Sequence, residues 1–371
     1  MTLVLFLIIL GALIFVHELG HFISAKKAGI RVDEFALGFP PRVLGKKIGE
    51  TEYNLNLIPF GGYVKIFGED GDEDADKRGL GTQISADKER RFTSKPRWVQ
   101  GIVLASGVLG NIVFAWLLVS IGFMSGVPSA INGRYAADVR NLELMVTSVL
   151  PDSPAYTAGL HSGDVITAIE ENGNRFEGTD ATVAGNFIGA STDKLSVFYK
   201  RGKEAGSVVV LPKDGIVEGK HAIGVGLDTI GEVRFGFFRA FFEGALMTWD
   251  ITREVTVGLV GFLKQAVTLQ ADLNSITGPL GIAGLVGEAR VLGVIYLLSF
   301  TAFISINLAV INLLPIPALD GGRLLFLAIE GITRRSIPAK LTRTVNTAGF
   351  ILLILFMVFI TYRDIVKLVS S

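Results

Sequence analysis

Four stretches of the chain combine high hydrophobicity with few charges, and each is long enough to cross a bilayer as a helix. The hydrocarbon core of a bilayer is about 30 Å thick and needs roughly 20 helical residues. The predicted spans are residues 1–25, 98–127, 291–319 and 344–362. The pattern therefore predicts a polytopic α-helical membrane protein with about four transmembrane helices.

The segment between the first two spans, residues 26–97, is more polar. Within it, residues 53–65 alternate apolar and polar side chains around a Pro-Phe-Gly-Gly sequence, which predicts a β-hairpin. The apolar content suggests that this hairpin is membrane-associated, although a hairpin on a protein surface fits the pattern equally well. The acidic run at 69–76 indicates a solvated linker.

Residues 133–228 predict an inserted α+β domain. A strand pattern at 145–150 precedes a turn-rich stretch, and the sequence A-G-L-H-S-G-D-V-I at 158–166 resembles a bacterial PDZ domain. In such domains a strand edge binds an extended peptide. A generic small β-rich domain remains the alternative, because short turn motifs are common.

Residues 235–271 are apolar but carry charges at helical spacing. They predict two amphipathic helices, at 235–249 and 255–271, which are too short and too charged to span a membrane. These helices are expected to lie along the outer membrane surface. Packing against a protein core is an equally good interpretation.

Composition and charge narrow the function classes. Half of the residues are hydrophobic and 19% are charged, below the roughly 25% of soluble domains. The 35 basic and 35 acidic residues cancel, so the chain has no basic excess for nucleic acid binding. The chain has no cysteine, which excludes disulfides and thiolate metal ligands. Any metal must be held by histidine and carboxylate.

Basic residues cluster after the first span, before the second, and between the third and fourth. Loops rich in Lys and Arg stay on the cytoplasmic side. The N-terminus, the 133–228 domain and the C-terminus are therefore predicted to be extracytoplasmic. The clustered residues are Lys26, Lys27, Arg31, Arg90, Arg91, Lys95, Arg97, Arg334, Arg335, Lys340 and Arg343.

The first span ends with the sequence H-E-L-G-H at residues 17–21. Positions i and i+4 of a helix lie on one face, so His17 and His21 can bind one metal ion while Glu18 reaches its water. The span's orientation places this motif in the cytoplasmic half of the membrane. The alternative, a histidine pair satisfied by backbone carbonyls, is disfavoured because such groups are costly in hydrocarbon.

A catalytic zinc ion usually takes a third protein ligand. Asp320 is the only acid between residues 291 and 322, and it follows Pro315 and Pro317, which interrupt the third span. Irregular backbone at membrane depth is tolerated where it faces protein or water. Asp320 is therefore the predicted third ligand, and its alternative role is to cap the helix that follows.

Taken together, these motifs resemble the site-2 family of intramembrane zinc metalloproteases, and its bacterial RseP-like group in particular. The resemblance covers nearly the whole chain, although RseP-like members often carry two PDZ domains and this chain shows one. It implies a Zn²⁺ site formed by His17, His21 and Asp320, with Glu18 as the general base. The matching elements are H-E-L-G-H at 17–21, P-F-G-G-Y-V-K at 59–65, G-V-L-G-N at 107–111, the PDZ-like domain, G-P-L-G-I-A at 278–283 and N-L-L-P-I-P-A-L-D-G-G at 312–322.

The resemblance also implies residues that hold the substrate. Asn111 either contacts the substrate or bridges two helices, since polar side chains in spans often do so. The predicted hairpin is expected to pair with a locally unwound substrate. The predicted substrate-binding residues are Asn312, Pro315, Pro317, Asn111, Phe60, Gly61, Gly62 and Tyr63.

The implied function is regulated intramembrane proteolysis in the bacterial cytoplasmic (inner) membrane. Substrates would be single-pass membrane proteins, such as anti-sigma factors or remnant signal peptides, already cut outside by a site-1 type protease. Two alternatives stay open: a non-proteolytic scaffold or chaperone that uses its PDZ-like domain, and a membrane zinc peptidase acting on soluble chains. The ligand types alone would also suit iron or cobalt.

Overall fold

A computed structural model describes residues 1–69, 88–131, 133–202, 204–217, 220–268, 270, 276–335 and 337–370. The chain divides into two compact units. The helical unit comprises Met1–Val119, Ala245–Val286 and Phe300–Ser371, and the β unit comprises Ser120–Gly244 and Gly287–Ser299. Beyond Glu69, the predicted acidic linker lies outside the described residues.

The helices are numbered here in chain order. They are α1 (Thr2–Lys27), α2 (Arg97–Ser125), α3 (Pro154–Thr157), α4 (Ala181–Ala190), α5 (Phe237–Val267), α6 (Pro279–Leu292), α7 (Val294–Asn312), α8 (Asp320–Thr333) and α9 (Ala339–Ser370). Short 3₁₀ helices occupy Lys88–Arg90, Phe92–Ser94 and Ala136–Asp138.

The strands are numbered in the same way. They are β1 (Val32–Ile48), β2 (Thr51–Ile66), β3 (Val127–Ala130), β4 (Val139–Val149), β5 (Val165–Glu171), β6 (Asn174–Phe176), β7 (Leu195–Arg201), β8 (Glu204–Val210), β9 (Lys213–Val217), β10 (Lys220–Ala222) and β11 (Val225–Val233).

Four of the described helices, α1, α2, α7 and α9, have the length and composition of membrane spans. Their most apolar windows have mean hydropathies of 2.2 to 2.5. Large apolar side chains lie exposed on α9, for example Leu352, Leu355 and Val358. Such a surface is favourable in lipid and unfavourable in water. The four apolar spans predicted from the sequence are therefore present.

The third predicted span is interrupted where its prolines lie. Helix α7 ends at Asn312, and α8 begins at Asp320. Between them Ala318 has a left-handed backbone with φ of 76°. A Cβ at Gly321 would lie 2.2 Å from the Leu313 carbonyl oxygen, and one at Gly322 would lie 2.3 Å from that of Ile316. The two glycines therefore let α8 start directly against the irregular segment.

The region predicted as a hairpin at 53–65 pairs differently. Residues 51–66 form one continuous strand, and the two halves of β2 are not paired with each other. Both halves pair with β1 instead: Phe35 has Val64 as one partner and Tyr53 as the other. The connection between β1 and β2 lies at residues 49–50. Local alternation does not reveal that the arms pair with a more distant strand.

The β unit is built on one twisted sheet. Its strand order is β3-β11-β4-β5-β7-β8, and β6 pairs with β5. Strands β9 and β10 form a separate pair. Apolar side chains from the sheet, the α3 region and α4 form one core. The core residues include Leu144, Val146, Leu160, Ile169, Ala184, Ile188, Leu195 and Val197.

The amphipathic segment that follows the sheet also differs from the prediction. The structure has one continuous helix, α5, where two helices at 235–249 and 255–271 were predicted. The intervening residues 250–254 contain neither glycine nor proline, so nothing in the sequence ends the first helix.

Candidate metal centre

Three ligand atoms from two helices meet at one point of the helical unit. The Asp320 Oδ2 atom lies 3.1 Å from Nε2 of His17 and 3.2 Å from Nε2 of His21. The two Nε2 atoms are 3.3 Å apart. Both histidines lie on α1 and are buried. Asp320 is the first residue of α8 and turns its carboxylate toward α1, so it does not act as the cap of its own helix.

This triangle fits a zinc ion. Zinc bonds of about 2.0–2.1 Å at tetrahedral angles place neighbouring ligand atoms about 3.3 Å apart. The Oδ2 atom of Asp320 is buried and accepts no hydrogen bond of acceptable geometry from the described residues. Buried charges are paired or coordinate metals, and a zinc ion inside the triangle would provide a partner for this oxygen. Two imidazoles and one carboxylate also leave a fourth position open, as in catalytic zinc sites.

Glycines at the crossing of α1 and α2 leave room for the two imidazoles. A Cβ at Gly107 of α2 would lie 2.2 Å from Nε2 of His21. A Cβ at Gly20 of α1 would lie 2.2 Å from the Ser106 carbonyl oxygen. The hydroxyl groups of Ser24 and Ser106 are hydrogen-bonded at 2.7 Å. Glycines at these crossings let α1 and α2 approach closely, as small residues do in membrane helices.

A cavity of about 310 Å³ surrounds the three ligand atoms. Glu18 and Asn312 line it, as do Arg323 and Glu69, which form an ion pair at 2.5 Å. The second half of β2 forms another wall through Gly61, Gly62, Tyr63, Val64 and Ile66. The cavity therefore combines a group of residues that could hold a metal ion, the Glu18 carboxylate and a strand edge.

The family model of peptidase family M50 matches residues 5–356 of the chain. The chain belongs to peptidase family M50. It is 36% identical to a candidate zinc metalloprotease of Clostridium perfringens, over 99% of both chains. It is 31% identical to the regulator of sigma-W protease RasP of Bacillus subtilis and 29% identical to the zinc metalloprotease RasP of Geobacillus kaustophilus. These two alignments cover 99% of this chain and 99% and 98% of the relatives.

The predicted membership of the site-2 protease family is thereby confirmed. This M50 peptidase is a zinc metalloprotease and a multi-pass membrane protein. This membership identifies the chain as an enzyme, and the non-proteolytic scaffold that the sequence left open is therefore disfavoured. The ligand residues and the substrate remain to be assigned from the geometry.

The structure brings together some of the predicted substrate-binding residues of this M50 peptidase. Asn312, Gly61, Gly62 and Tyr63 line the metal cavity. Pro315, Pro317 and Asn111 are not among the described lining residues. Phe60 lies within β2, and its side chain is outside the described part of the structure.

Of the two prolines, Pro317 lies against α9, behind the metal ligands. A Cβ at Gly349 of α9 would lie 2.6 Å from Cβ of Pro317. The neighbouring Ala318 N–H donates to Oδ1 of Asn346 at 3.3 Å. These contacts hold the irregular segment against α9. Pro317 and Ala318 therefore help to fix the backbone that presents Asp320.

Tyr63 lines the cavity but is poorly suited to proton transfer. Its hydroxyl donates to Oε1 of Glu34 at 2.6 Å. Burial and this hydrogen bond raise the pKa of Tyr63 to about 12. The phenol therefore stays protonated at neutral pH and does not serve as a proton acceptor there.

Sequence reasoning missed the residues that shape the site rather than perform its chemistry. Gly107 belongs to the G-V-L-G-N element, and the spacing of four residues between its neighbour Ser106 and Gly110 was a signal of close helix packing. The Arg323–Glu69 pair joins residues 254 positions apart, and nothing in the local sequence indicated it.

Proposed function

We propose that this M50 peptidase cleaves peptide bonds inside the transmembrane segments of single-pass proteins. His17, His21 and Asp320 hold the zinc ion, and Glu18 is the general base. The meeting of three ligand atoms beside Glu18 on an apolar helix carries this proposal. When bound, zinc supplies polarisation of the scissile carbonyl and activation of water at neutral pH.

Glu18 provides the proton transfers. Its carboxylate accepts the proton of the attacking water and returns it to the amide nitrogen that leaves. Residues 3–16 of α1, which precede the metal motif, are apolar, so the polar cavity is the route by which water reaches the carboxylate. This restriction confines hydrolysis to a chain that enters the cavity.

The second half of β2 positions the substrate. Residues 62–66 pair with β1 on one side only among the described residues, which leaves one edge open. A transmembrane helix must unwind before hydrolysis, because its peptide groups are hydrogen-bonded internally. The unwound segment adds to this edge as a further strand. Deletion of residues 60–63 should lower cleavage and leave the zinc content unchanged; full activity of the deletion variant would contradict this role.

The β unit is proposed to act as a PDZ-like filter on the extracytoplasmic side of the bacterial cytoplasmic membrane. A cavity of about 590 Å³ lies between α4 and β11. Residues 225–229 of β11 pair with β4, whereas pairing with β3 begins at Ile230. This open edge supports binding of an extended peptide. The active site then lies in the cytoplasmic half of the membrane.

The substrates are proposed to be proteins already cut outside by a site-1 type protease. The filter would exclude intact proteins by bulk or bind a newly formed C-terminus. The printed name of the Bacillus subtilis relative, regulator of sigma-W protease, favours membrane-bound regulators of sigma factors as substrates. Remnant signal peptides are a second substrate class.

The first experiment compares wild type with Glu18→Gln in detergent. The substrate is a single-span protein whose outer domain has been removed, and zinc content is measured for both enzymes. We expect cleavage by wild type alone with equal zinc in the two proteins. Absence of cleavage by zinc-loaded wild type across several such substrates would refute intramembrane cleavage.

A further inference from the structure

The two imidazoles of the metal centre each present their second nitrogen to α2. Nδ1 of His21 lies 2.8 Å from the Val103 carbonyl oxygen. A carbonyl oxygen only accepts hydrogen bonds, so this Nδ1 carries the proton. The Nε2 atom of His21 then has a free lone pair directed at the metal position. The Val103 carbonyl thus selects the imidazole form that can bind a metal.

The same requirement applies to His17. Its Nε2 atom lies in the ligand triangle, so its Nδ1 must carry the proton and needs an acceptor. The group that faces Nδ1 is the side-chain amide of Asn111 on α2, with Nδ2 at 3.3 Å. In that orientation an N–H of the amide points at an N–H of the ring. This arrangement conflicts with metal binding through Nε2.

The other end of the same amide shows the complementary defect. Asn111 is completely buried. Its Oδ1 atom has no hydrogen-bond partner among the described residues. A buried amide oxygen without a hydrogen-bond donor destabilises the folded state. Rotation of the amide by 180° places this oxygen against Nδ1 of His17, and such rotations exchange two atoms that are assigned from the hydrogen-bond network.

We propose that Asn111 is a positioning residue that accepts a hydrogen bond from Nδ1–H of His17 and keeps Nε2 of this histidine free for zinc. This inference rests on the proposed ligand set. It gives Asn111 a role different from substrate contact, in agreement with its absence from the described cavity lining. Outer hydrogen bonds of this kind orient metal-binding histidines and tune their affinity.

The order of contacts along the helices supports the same arrangement. Val103 and Asn111 are about two helical turns apart on α2, and His21 and His17 are about one turn apart on α1. Gly107 lies midway between the two acceptors, where a Cβ would contact Nε2 of His21 at 2.2 Å. One helix therefore supplies the metal ligands, and its neighbour supplies an acceptor for each ring and the space between them.

The backbone of Asn111 is held independently of its side chain. The Ser305 hydroxyl on α7 donates to the Asn111 carbonyl oxygen at 2.9 Å. Ser305→Ala therefore removes a helix contact at the same position and leaves the amide in place. This variant is the matched control for a structural effect at the helix crossing.

The test measures the metal directly. Full-length wild type, Asn111→Leu, Asn111→Asp, Ser305→Ala and His17→Ala are purified in detergent, and thermal unfolding verifies that each is folded. The readouts are zinc content and the rate of zinc transfer to a colorimetric chelator. Asn111→Leu has no acceptor and should release zinc about 10–100-fold faster than wild type. Asn111→Asp keeps an acceptor but has no donor, so it should retain zinc.

The variants separate the possible results. Equal zinc release by Asn111→Leu and wild type would overturn the inference. So would loss of zinc by both Asn111 variants, or a loss in Ser305→Ala equal to that in Asn111→Leu, because either result indicates a packing role. Full zinc content in His17→Ala would instead refute the proposed ligand set. The zinc content of His17→Ala therefore distinguishes a wrong role for Asn111 from a wrong ligand set.

Discussion

Among the described residues, an open strand edge borders each of two cavities, and the two edges differ in what surrounds them. Gly62, Tyr63, Val64 and Ile66 of β2 line the cavity of about 310 Å³ together with Glu18 and the proposed metal ligands. Residues 225–227 of β11 border the larger groove of about 590 Å³, whose described lining contains no carboxylate. Both edges are proposed to bind a peptide backbone, and only the first adjoins the groups proposed to hydrolyse it.

Peptide recognition and peptide hydrolysis would therefore depend on different parts of the structure: the main chain of a strand edge, and side chains on packed helices. A strand edge binds many sequences because its hydrogen bonds involve only the main chain. The proposed catalytic groups come from α1 and α8, and glycines on α1, α2 and α8 set their separation. Mutations should therefore change the function of one edge without changing the other. Stability of the β unit, zinc content and cleavage rate are the quantities that distinguish the effects.

The largest effect is expected from breaking the fold of the β unit alone. Arg201 donates to both carboxylate oxygens of Asp164, at 2.6 and 2.7 Å. Asp164 is fully buried. Arg201→Ala leaves this charge buried without its partner and should lower the stability of the β unit by about 3–5 kcal/mol. Hydrogen exchange of the β4, β5 and β7 amides in the full chain measures the loss.

The matched control for this variant is Arg175→Ala in the same unit. The Arg175–Glu177 pair lies at the surface, with 48% and 63% of the side chains exposed. Its removal should cost at most about 1 kcal/mol. Zinc content should not change in either variant. A loss of zinc in Arg201→Ala would show that the metal site depends on the β unit.

The next effect concerns the metal cavity. Gly107→Ala places a methyl group within 2.2 Å of Nε2 of His21. The ligand ring must move, so zinc content should fall and cleavage should drop on the order of 100-fold or more. Alanine is the better helix former by about 1 kcal/mol, so a loss of metal cannot come from helix propensity.

Gly101→Ala on the same helix is its control. A Cβ at Gly101 would meet only Cδ2 of Leu327, at an ordinary contact distance of 3.7 Å. This variant should retain zinc and activity. Zinc loss in Gly101→Ala, or full zinc and activity in Gly107→Ala, would contradict the role given to the glycine beside the imidazoles.

The sequence predicted the parts of this site that depend on local periodicity. The four spans, the shared face of His17 and His21, and the isolated Asp320 after two prolines were all visible in the pattern. The pairing of Phe35 with two stretches of β2 was not, because strand pairing depends on tertiary contacts. The fit of Gly107 against the imidazoles was hidden for the same reason.

A smaller effect should follow a change at the catalytic strand edge. A Cβ at Gly62 would lie 2.9 Å from Cγ2 of Ile14 and 3.0 Å from Cγ of Glu18. Gly62→Ala should displace the edge from α1 by a fraction of an ångström and lower cleavage by about tenfold. Zinc content should stay at the wild-type value, since Gly62 contacts no proposed ligand.

Gly11→Ala in α1 is the control for this variant. No atom lies within 4 Å of a Cβ built at Gly11, so this change should leave cleavage intact. If Gly62→Ala cleaved as fast as wild type, the edge of β2 would have no part in holding the substrate. Zinc loss would instead assign the glycine to the metal site.

The smallest effect should come from filling the groove of the β unit. Gly185 of α4 lines the groove, and a Cβ there would meet no atom within 4 Å. Gly185→Trp should block a peptide from the open edge of β11, whereas Gly185→Ala should leave the groove open.

Because the groove adjoins no proposed catalytic group, a pre-shortened substrate should be cleaved at the wild-type rate by both variants. Binding of a fluorescent peptide with a free C-terminus should be lost in Gly185→Trp alone. If cleavage of the shortened substrate fell together with peptide binding, the two edges would act as one binding path, and the separation between recognition and chemistry would fail.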